Sequence, residues 1–189
     1  MPPSRKGVVR KTAIIEATLR VIGRDGIAEM SFRLVAAEAS VPIGTVSFYF
    51  SDKEELLEAA FRYHTQRETA RIVDTIAHFG SALTSADVAR GLADLVIHGL
   101  TEYREQLLTE YKFLAESARR ENLRRASAAW LASLTAHLES TVAALSSSNP
   151  TTDARLILAV LGGLEVDNLG VPPDPDAQRL IRQVLGRLF

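Results

Sequence analysis

The stretch FRLVAAEASVPIGTVSFYFSDKEELL, residues 32–57, constrains the fold of this chain more than any other part of it. It predicts two short helices joined by a tight turn and followed by a third helix, which is the helix-turn-helix pattern. Alanines on the first short helix would let the second helix cross it closely. Pro42 is expected at the first position of the second helix, where its missing N–H costs nothing and its fixed φ suits a helix.

The second short helix, residues 43–50, has two different faces at helical spacing. Val46 and Phe50 are expected on the buried face. The side chains expected to point outward are those of Ile43, Gly44, Thr45 and Ser47. A face of small and hydroxyl-bearing residues can approach a DNA groove.

This pattern, V-x-x-G-T-V-x-x-Y-F-x-x-K-E-x-L, resembles the DNA-binding signature of the TetR family of transcriptional repressors. The matching residues are Val41, Gly44, Thr45, Val46, Tyr49, Phe50, Lys53, Glu54 and Leu56, with Ile14, Ala17 and Gly26 upstream. The resemblance implies a ligand domain after the DNA-binding helices. One departure is Ser47, which stands where family members commonly have a tyrosine that touches the phosphate backbone.

Composition narrows the class of protein further. A chain of 189 residues that is 47% hydrophobic can form one or two domains with a substantial core. The net charge is −1, but residues 1–50 carry seven basic and four acidic side chains, a local charge of +3. This asymmetry favours an anionic partner at the N-terminal end, although a solvated helix face would look similar.

Two classes of protein are not expected from this sequence. The absence of cysteine excludes disulfides and thiolate metal sites. No apolar run approaches the roughly 20 residues of a membrane helix, and the start MPPSRKG lacks the apolar centre of a signal peptide. We therefore expect a cytoplasmic protein that does not bind membranes.

Apolar residues recur at intervals of three and four, which predicts an all-α chain of about nine helices. The predicted helices, in chain order, are 8–24, a short helix capped by Ser31, a short helix that begins at Pro42, and then 52–78, 86–103, 105–119, 122–145, 154–169 and 177–189. Ser51 and Glu54 are expected to form a capping box at the start of 52–78, and Thr151 or Thr152 is expected to cap 154–169. We expect a three-helix DNA-binding domain at 1–55 and a ligand-binding and dimerisation domain at 56–189, with the fourth helix connecting them.

The residues predicted to contact DNA are Arg33, Pro42, Ile43, Gly44, Thr45, Ser47, Phe48, Tyr49 and Lys53. Lys53 is informative because the helix dipole disfavours a cation at a helix N-terminus unless an anion such as a phosphate lies nearby. Ile43 suits a thymine methyl group, and Arg33 can reach a base or a phosphate. The alternative is a structural three-helix unit without a DNA role.

A second set of residues is predicted to bind a small molecule: His98, Tyr103, Tyr111, Trp130 and His137. Each alone is more simply explained by packing at helical spacing, but the family resemblance implies that some of the group line an effector pocket. His98 and Glu102 have a spacing that offers two metal ligands. No third ligand is identifiable, so we expect neither a metal nor another cofactor.

The last two helices, predicted at 152–169 and 177–189, are expected to form a homodimer interface as half of a four-helix bundle. Apolar residues surround the first of them almost completely, which gives more apolar surface than one helix buries in a small domain; they are Ile157, Leu158, Leu161, Leu164 and Val166. Gly162 and Gly163 in its middle suggest close approach of another helix. A central helix of a monomer is the alternative. A two-fold dimer predicts an inverted-repeat operator in double-stranded DNA.

The sequence contains no G-x-S-x-G elbow, phosphate-binding glycine loop or H-E-x-x-H motif, so we do not expect an enzyme. The prediction is a ligand-responsive, DNA-binding transcriptional regulator, specifically a repressor that a small molecule releases from its operator. One alternative is a helical enzyme or small-molecule carrier with a structural helix-turn-helix. Another is an architectural DNA-binding dimer without an effector.

Overall fold

A computed structural model describes residues 5–77 and 84–187. Within these residues the chain forms helices and no strands, which confirms the all-α prediction. The helices are α1 (Arg5–Asp25), α2 (Phe32–Glu38), α3 (Ile43–Tyr49), α4 (Lys53–Ala77), α5 (Ser85–Leu100), α6 (Arg104–Ser117), α7 (Glu121–Ala144), α8 (Pro150–Asp167) and α9 (Pro175–Gly186). His78, the predicted end of the fourth helix, and the final residues 188–189 lie outside the described residues.

The chain divides into two compact units. The first comprises Met1–Arg67 and Leu108–Ala128, and the second comprises Glu68–Leu107 and Ala129–Phe189. Among the described helices, none is both long and apolar enough to cross a membrane.

The helix-turn-helix lies in the first unit, where α2 packs against α1 and α3. One face of α1 is buried and includes Ile14, Ala17, Thr18, Val21 and Ile22. Gly26 ends α1 with a φ of 91°, a left-handed conformation that glycine adopts at little cost. Ser31 caps α2 as predicted, since its hydroxyl accepts a hydrogen bond from the N–H of Leu34.

Two details of α3 and α4 differ from the predictions. Pro42 is the N-cap of α3 and not its first helical residue. The predicted capping box of Ser51 and Glu54 is wrong by one residue. Because α4 begins at Lys53, the capping side chain is that of Asp52, whose carboxylate accepts from the N–H of Glu55 at 2.8 Å. Glu55 in turn accepts from the N–H of Ser51 at 2.7 Å.

The end of α6 and the start of α7 complete the core of the first unit. The rings of Phe61 on α4 and Phe113 on α6 are fully buried, with centroids 5.1 Å apart. Beside them, the buried imidazole of His64 lies 3.1 Å from the carboxylate of Glu110. The N-terminal helices therefore share their core with residues more than forty positions downstream.

In the second unit, α5 packs against both α8 and α9. Thr84 and Asp87 form a capping box at the start of α5. The predicted caps of α8, Thr151 or Thr152, are wrong, because the helix begins at Pro150 and is capped by the side chain of Asn149. Proline suits this first position because it lacks the N–H that the helix would leave unpaired.

Candidate functional site

The helix α3 is held by two buried anchors that fix which of its faces is presented. Val46 and Phe50 are almost completely buried, as predicted from their spacing. The turn before α3 is closed by a hydrogen bond from the N–H of Val41 to the carbonyl of Ala36. Because α3 has only seven residues, these two anchors determine its orientation within the first unit.

The opposite face of α3 points to solvent. The side chain of Phe48 is 80% exposed and that of Ile43 is 54% exposed. Gly44 and Ser47 are also exposed, whereas Thr45 and Tyr49 are half-buried. The predicted outward positions are therefore outward except for Thr45, which is partly covered.

A depression of about 380 Å³ runs along this face, and one of its walls is a residue outside the predicted set. The depression is lined by Arg10, Pro42, Gly44, Thr45, Phe48 and Tyr49. Arg10 lies on α1, so α1 and α3 together form a concave surface with a cation at its edge. The excess of basic residues near the N-terminus was the sequence signal, but only the fold selects Arg10 among them.

Two pairs of arginines in the first unit differ in their contacts. Arg20 and Arg24 are both paired with the carboxylate of Glu38, at 2.7 and 3.0 Å. These contacts, chiefly the hydrogen bond from Arg20, hold the pKa of Glu38 below its usual range. In contrast, Arg10 and Arg33 are exposed and have no acidic partner within the described part of the chain. The second pair is available to an external anion.

Lys53 has an internal contact that the sequence did not indicate. Its ammonium donates a hydrogen bond to the carbonyl of Ala28 at 3.0 Å, which links the start of α4 to the turn after α1. An ammonium carries three N–H donors, so two remain for another acceptor. A phosphate contact by Lys53 therefore stays a prediction, and its structural role in the turn is an additional one.

The hydroxyl of Ser47, at the position where the TetR signature commonly has tyrosine, turns back to the carbonyl of Ile43 at 3.4 Å. Its neighbour Tyr49 packs its ring edge-to-face against Phe48, with centroids 5.1 Å apart and planes at 88°. The phenol of Tyr49 is therefore positioned beside the same depression. Among residues of α3, it is the one with a long polar side chain.

The five predicted ligand-binding residues do not gather around one described cavity. Tyr111 lies in the first unit, whereas His98, Tyr103, Trp130 and His137 lie in the second. His98 and His137 are exposed, and Nδ1 of His137 lies 2.7 Å from the carbonyl oxygen of Ser133. Ligand binding by these residues remains a prediction.

Two of the five make contacts to the last part of α4. The indole N–H of Trp130 donates to the hydroxyl of Thr69 at 3.1 Å. The guanidinium of Arg71 lies over the ring of Tyr103, 4.8 Å from its centroid. A molecule that displaced either aromatic side chain would therefore act directly on α4.

The second unit also contains a smaller cavity of about 190 Å³ at the start of α8. It is lined by Ser85, Val142, Leu145, Ser147, Asp153, Leu156 and Ile157. None of the predicted ligand-binding residues is among them. The described residues contain no group of three or more histidine or carboxylate side chains able to hold a metal ion.

Comparison with known proteins agrees with this architecture. The profile described as "Bacterial regulatory proteins, tetR family" matches residues 14–60, and "Tetracyclin repressor-like, C-terminal domain" matches residues 83–189. The transcriptional regulator BetI of Proteus mirabilis is 44% identical over 63 residues, which are 33% of this chain and 32% of BetI. The match therefore spans about a third of that curated relative.

Two solved structures are similar over nearly the whole chain. The multidrug binding protein EbrR, solved with ethidium, is 33% identical with a TM-score of 0.73, and the match covers 95% of this chain and 98% of EbrR. A TetR-family member of Streptomyces coelicolor A3 is 32% identical with a TM-score of 0.73, over 95% and 98% of the two chains. The chain belongs to the TetR family of bacterial regulatory proteins.

Proposed function

We propose that this protein is a transcriptional repressor that binds DNA through α3 and leaves its operator when a small molecule binds. The observation that carries the proposal is the outward face of α3, which two buried anchors fix beside the exposed cation Arg10. An 80% exposed phenylalanine on such a face has no role in the core of its own unit. A protein of this kind works in the cytoplasm, where the DNA is.

The cations Arg10 and Arg33 supply the sequence-independent part of DNA binding in this proposal. Neutralising phosphates releases counterions, so the logarithm of the binding constant falls with the logarithm of salt concentration by about 0.9 per contact. In a dimer each arginine acts twice. Arg10→Ala should therefore reduce the salt slope by roughly 2.

The test measures fluorescence anisotropy of labelled DNA from the region flanking the coding sequence, over a series of salt concentrations. Arg90→Ala is the matched control, because Arg90 is an exposed arginine of α5 in the second unit, outside the helices proposed to bind DNA or to form the dimer. It should bind like wild type. If Arg10→Ala and Arg33→Ala both retain the wild-type slope, the assignment of this face to DNA is wrong.

The effector is proposed to bind in the second unit and to act on α4. The contacts of Trp130 and Tyr103 to α4 support this, because a ligand that reorders them also changes α4. Ethidium is a suitable first probe, since EbrR was solved with it. Because ethidium also binds DNA, its binding is measured first on the protein alone, through quenching of Trp130 fluorescence.

An effector must bind the DNA-free form more tightly than the DNA-bound form, since otherwise it shifts nothing. Saturating ligand should therefore lower the operator affinity by the same factor by which DNA lowers the ligand affinity. A ligand that quenches Trp130 and leaves operator binding unchanged is not the effector. If no ligand changes operator affinity while specific DNA binding persists, the architectural alternative is correct.

A homodimer is part of the proposal, and exposed apolar residues on α8 and α9 support it. Leu156, Val166 and Leu180 are each more than half exposed. Only Ala154 and Ile157 of α8 are buried within the chain. A Cβ added to Gly163 would meet nothing within 4 Å, so no contact among the described residues requires the glycine there. A second copy that covers this surface would explain both features.

The dimer is tested by sedimentation of Leu180→Arg beside Ala118→Arg, which places the same charge at an exposed turn of the first unit. Leu180→Arg should give a folded monomer with weakened operator binding, because two recognition helices about 34 Å apart are needed for successive major grooves. Ala118→Arg should remain a dimer. A wild-type chain that sediments as a monomer at micromolar concentration would rule out both the interface and the inverted-repeat operator.

A further inference from the structure

The outward face of α3 lacks the side chains that read most bases. Discrimination in the major groove uses arginine or lysine for guanine, asparagine or glutamine for adenine, and a carboxylate for cytosine. The sequence of α3 is IGTVSFY, which contains none of these. Its exposed side chains are instead Ile43 and Phe48, together with Ser47, whose hydroxyl turns back to its own helix.

We propose that this protein reads its operator mainly through thymine methyl groups, which Phe48 and Ile43 contact in the major groove. Apolar contact with the C5 methyl group of thymine is the one direct readout open to such side chains. The inference rests on the proposed DNA-binding function and specifies its chemistry. In this proposal, A·T pairs at defined positions determine the specificity. Arg33 and Arg10 contact guanine or phosphate at the edges of the binding site.

The setting of Phe48 suits this role. Its ring lies one helical turn after Gly44, and a Cβ added to Gly44 would meet nothing within 4 Å. Within the described part of the chain no contact requires glycine there, and the space beside its Cα is open. The edge-to-face contact with half-buried Tyr49 restricts the ring without burying it. An exposed aromatic ring is thus presented next to an open depression.

Thr45 and Arg33 are the competing readers. Thr45 is half-buried, which limits how much of its hydroxyl can reach a base. Arg33 is fully able to bind guanine, but it lies on α2 and not on the presented face of α3. If Arg33 supplied the specificity, guanines would be the most strongly selected bases of the binding site, and removal of thymine methyl groups would not weaken binding.

The experiment compares thymine with uracil, which differs only by the methyl group. A binding site is first selected from a random-sequence duplex library with the wild-type protein. The selected site is then synthesised with thymine or with deoxyuridine at each enriched A·T position, and dissociation constants are measured by anisotropy. Each lost methyl contact should raise the dissociation constant about fourfold. Loss of the two symmetry-related methyl groups, one in each half-site, should raise it about fifteenfold. Deoxyuridine outside the site serves as the DNA control.

Protein variants then identify the reader. Phe48→Ala should weaken binding to the thymine site. In this variant, deoxyuridine at the position that Phe48 contacts should cause almost no further loss. Ile43→Ala should have the same two effects at a different position. This is a double-mutant cycle between a side chain and a methyl group. Val171→Ala is the matched control, because Val171 is an equally exposed apolar residue in the second unit. It should keep the wild-type preference for thymine.

The outcomes separate this inference from the proposed function. If a specific site is selected but its uracil form binds within about twofold of the thymine form, methyl readout is wrong while DNA recognition stands. If Phe48→Ala weakens binding to random and selected DNA equally, Phe48 does not confer specificity, and the inference fails. If no sequence is enriched and binding has no salt dependence, the proposed function itself fails.

Discussion

Lys112 ties α6 to the end of α1 inside the first unit, and its replacement by methionine tests how firmly the N-terminal helices depend on α6. The ammonium donates to the carbonyl oxygens of Ile22 and Gly23, at 3.1 and 2.5 Å. Both carbonyls lie in the last turn of α1, where that of Ile22 also accepts from the N–H of Gly26 at 3.0 Å. The positive charge also lies at the negative end of the α1 dipole.

The size of the effect follows from these contacts. Hydrogen bonds to a charged group contribute about 1.5–3 kcal/mol, and a cation at a helix C-terminus contributes about 0.3–1 kcal/mol. The contacts are only partly buried, so in Lys112→Met water can donate hydrogen bonds to these carbonyls and offset part of the loss. Lys112→Met should therefore lower the free energy of unfolding by about 2 kcal/mol, which for a chain of 189 residues is roughly 4–8 °C in melting temperature.

Urea denaturation followed by circular dichroism measures the loss, and amide hydrogen exchange shows whether the end of α1 is the part that opens. Lys6→Met is the matched control, because Lys6 is exposed near the start of α1. It should change stability by less than about 0.5 kcal/mol. If the two variants are equally stable and exchange at Ile22–Gly26 is unchanged, Lys112 does not hold α1 in place.

Two further predictions concern the start of α4. Asp52→Ala removes the capping side chain and should lower the free energy of unfolding by about 1 kcal/mol, measured by urea denaturation. The backbone N–H and then the hydroxyl of Ser51 hold the pKa of Glu55 below its ordinary value of 4.5. A lowered pKa contributes stability that is present above the ordinary value and is lost as the pH falls through the folded-state value. The urea midpoints of wild type and Glu55→Gln should therefore differ near neutral pH and converge in acid, and a constant difference would contradict this.

The helical pattern predicted most of the fold because periodicity and local capping are encoded within a few residues. The buried faces of α1 and α3 follow directly from spacing. Helix starts were less predictable, because several residues in a row can act as caps. At α4 both Ser51 and Asp52 are suitable, and the helix begins one residue later than the S-x-x-E pattern indicates. At α8 Asn149 takes the role predicted for the threonines that follow.

The candidate site was predictable where it lies on one helix and not where it depends on contacts between helices. Ile43, Gly44 and Ser47 could be placed outward from spacing alone. Arg10 lines the same surface because α1 lies beside α3, and no local pattern distinguishes it from the other basic residues near the N-terminus. The contact of Lys53 with Ala28 and the burial of Phe113 likewise arise from packing between distant segments.

Residues on both sides of the predicted domain boundary at residue 55 pack against α6 and the start of α7. Phe61 is covered by Phe113, His64 pairs with Glu110, and the carbonyl of Glu54 accepts from the amide of Asn122 at 2.8 Å. A peptide of residues 1–67 alone would expose the ring of Phe61, which loses about 1.5–3 kcal/mol of burial, and would lose both polar contacts, each of which contributes about 0.5–1.5 kcal/mol.

That peptide should therefore show little cooperative unfolding by circular dichroism and weak operator binding. Adding a second peptide of residues 104–128 should restore both, because α6 and the start of α7 supply the missing contacts. The same second peptide carrying Phe113→Ala is the control and should restore little. Cooperative unfolding of residues 1–67 by themselves would show that the DNA-binding helices need nothing from α6, and the boundary predicted from the sequence would then be the physical one.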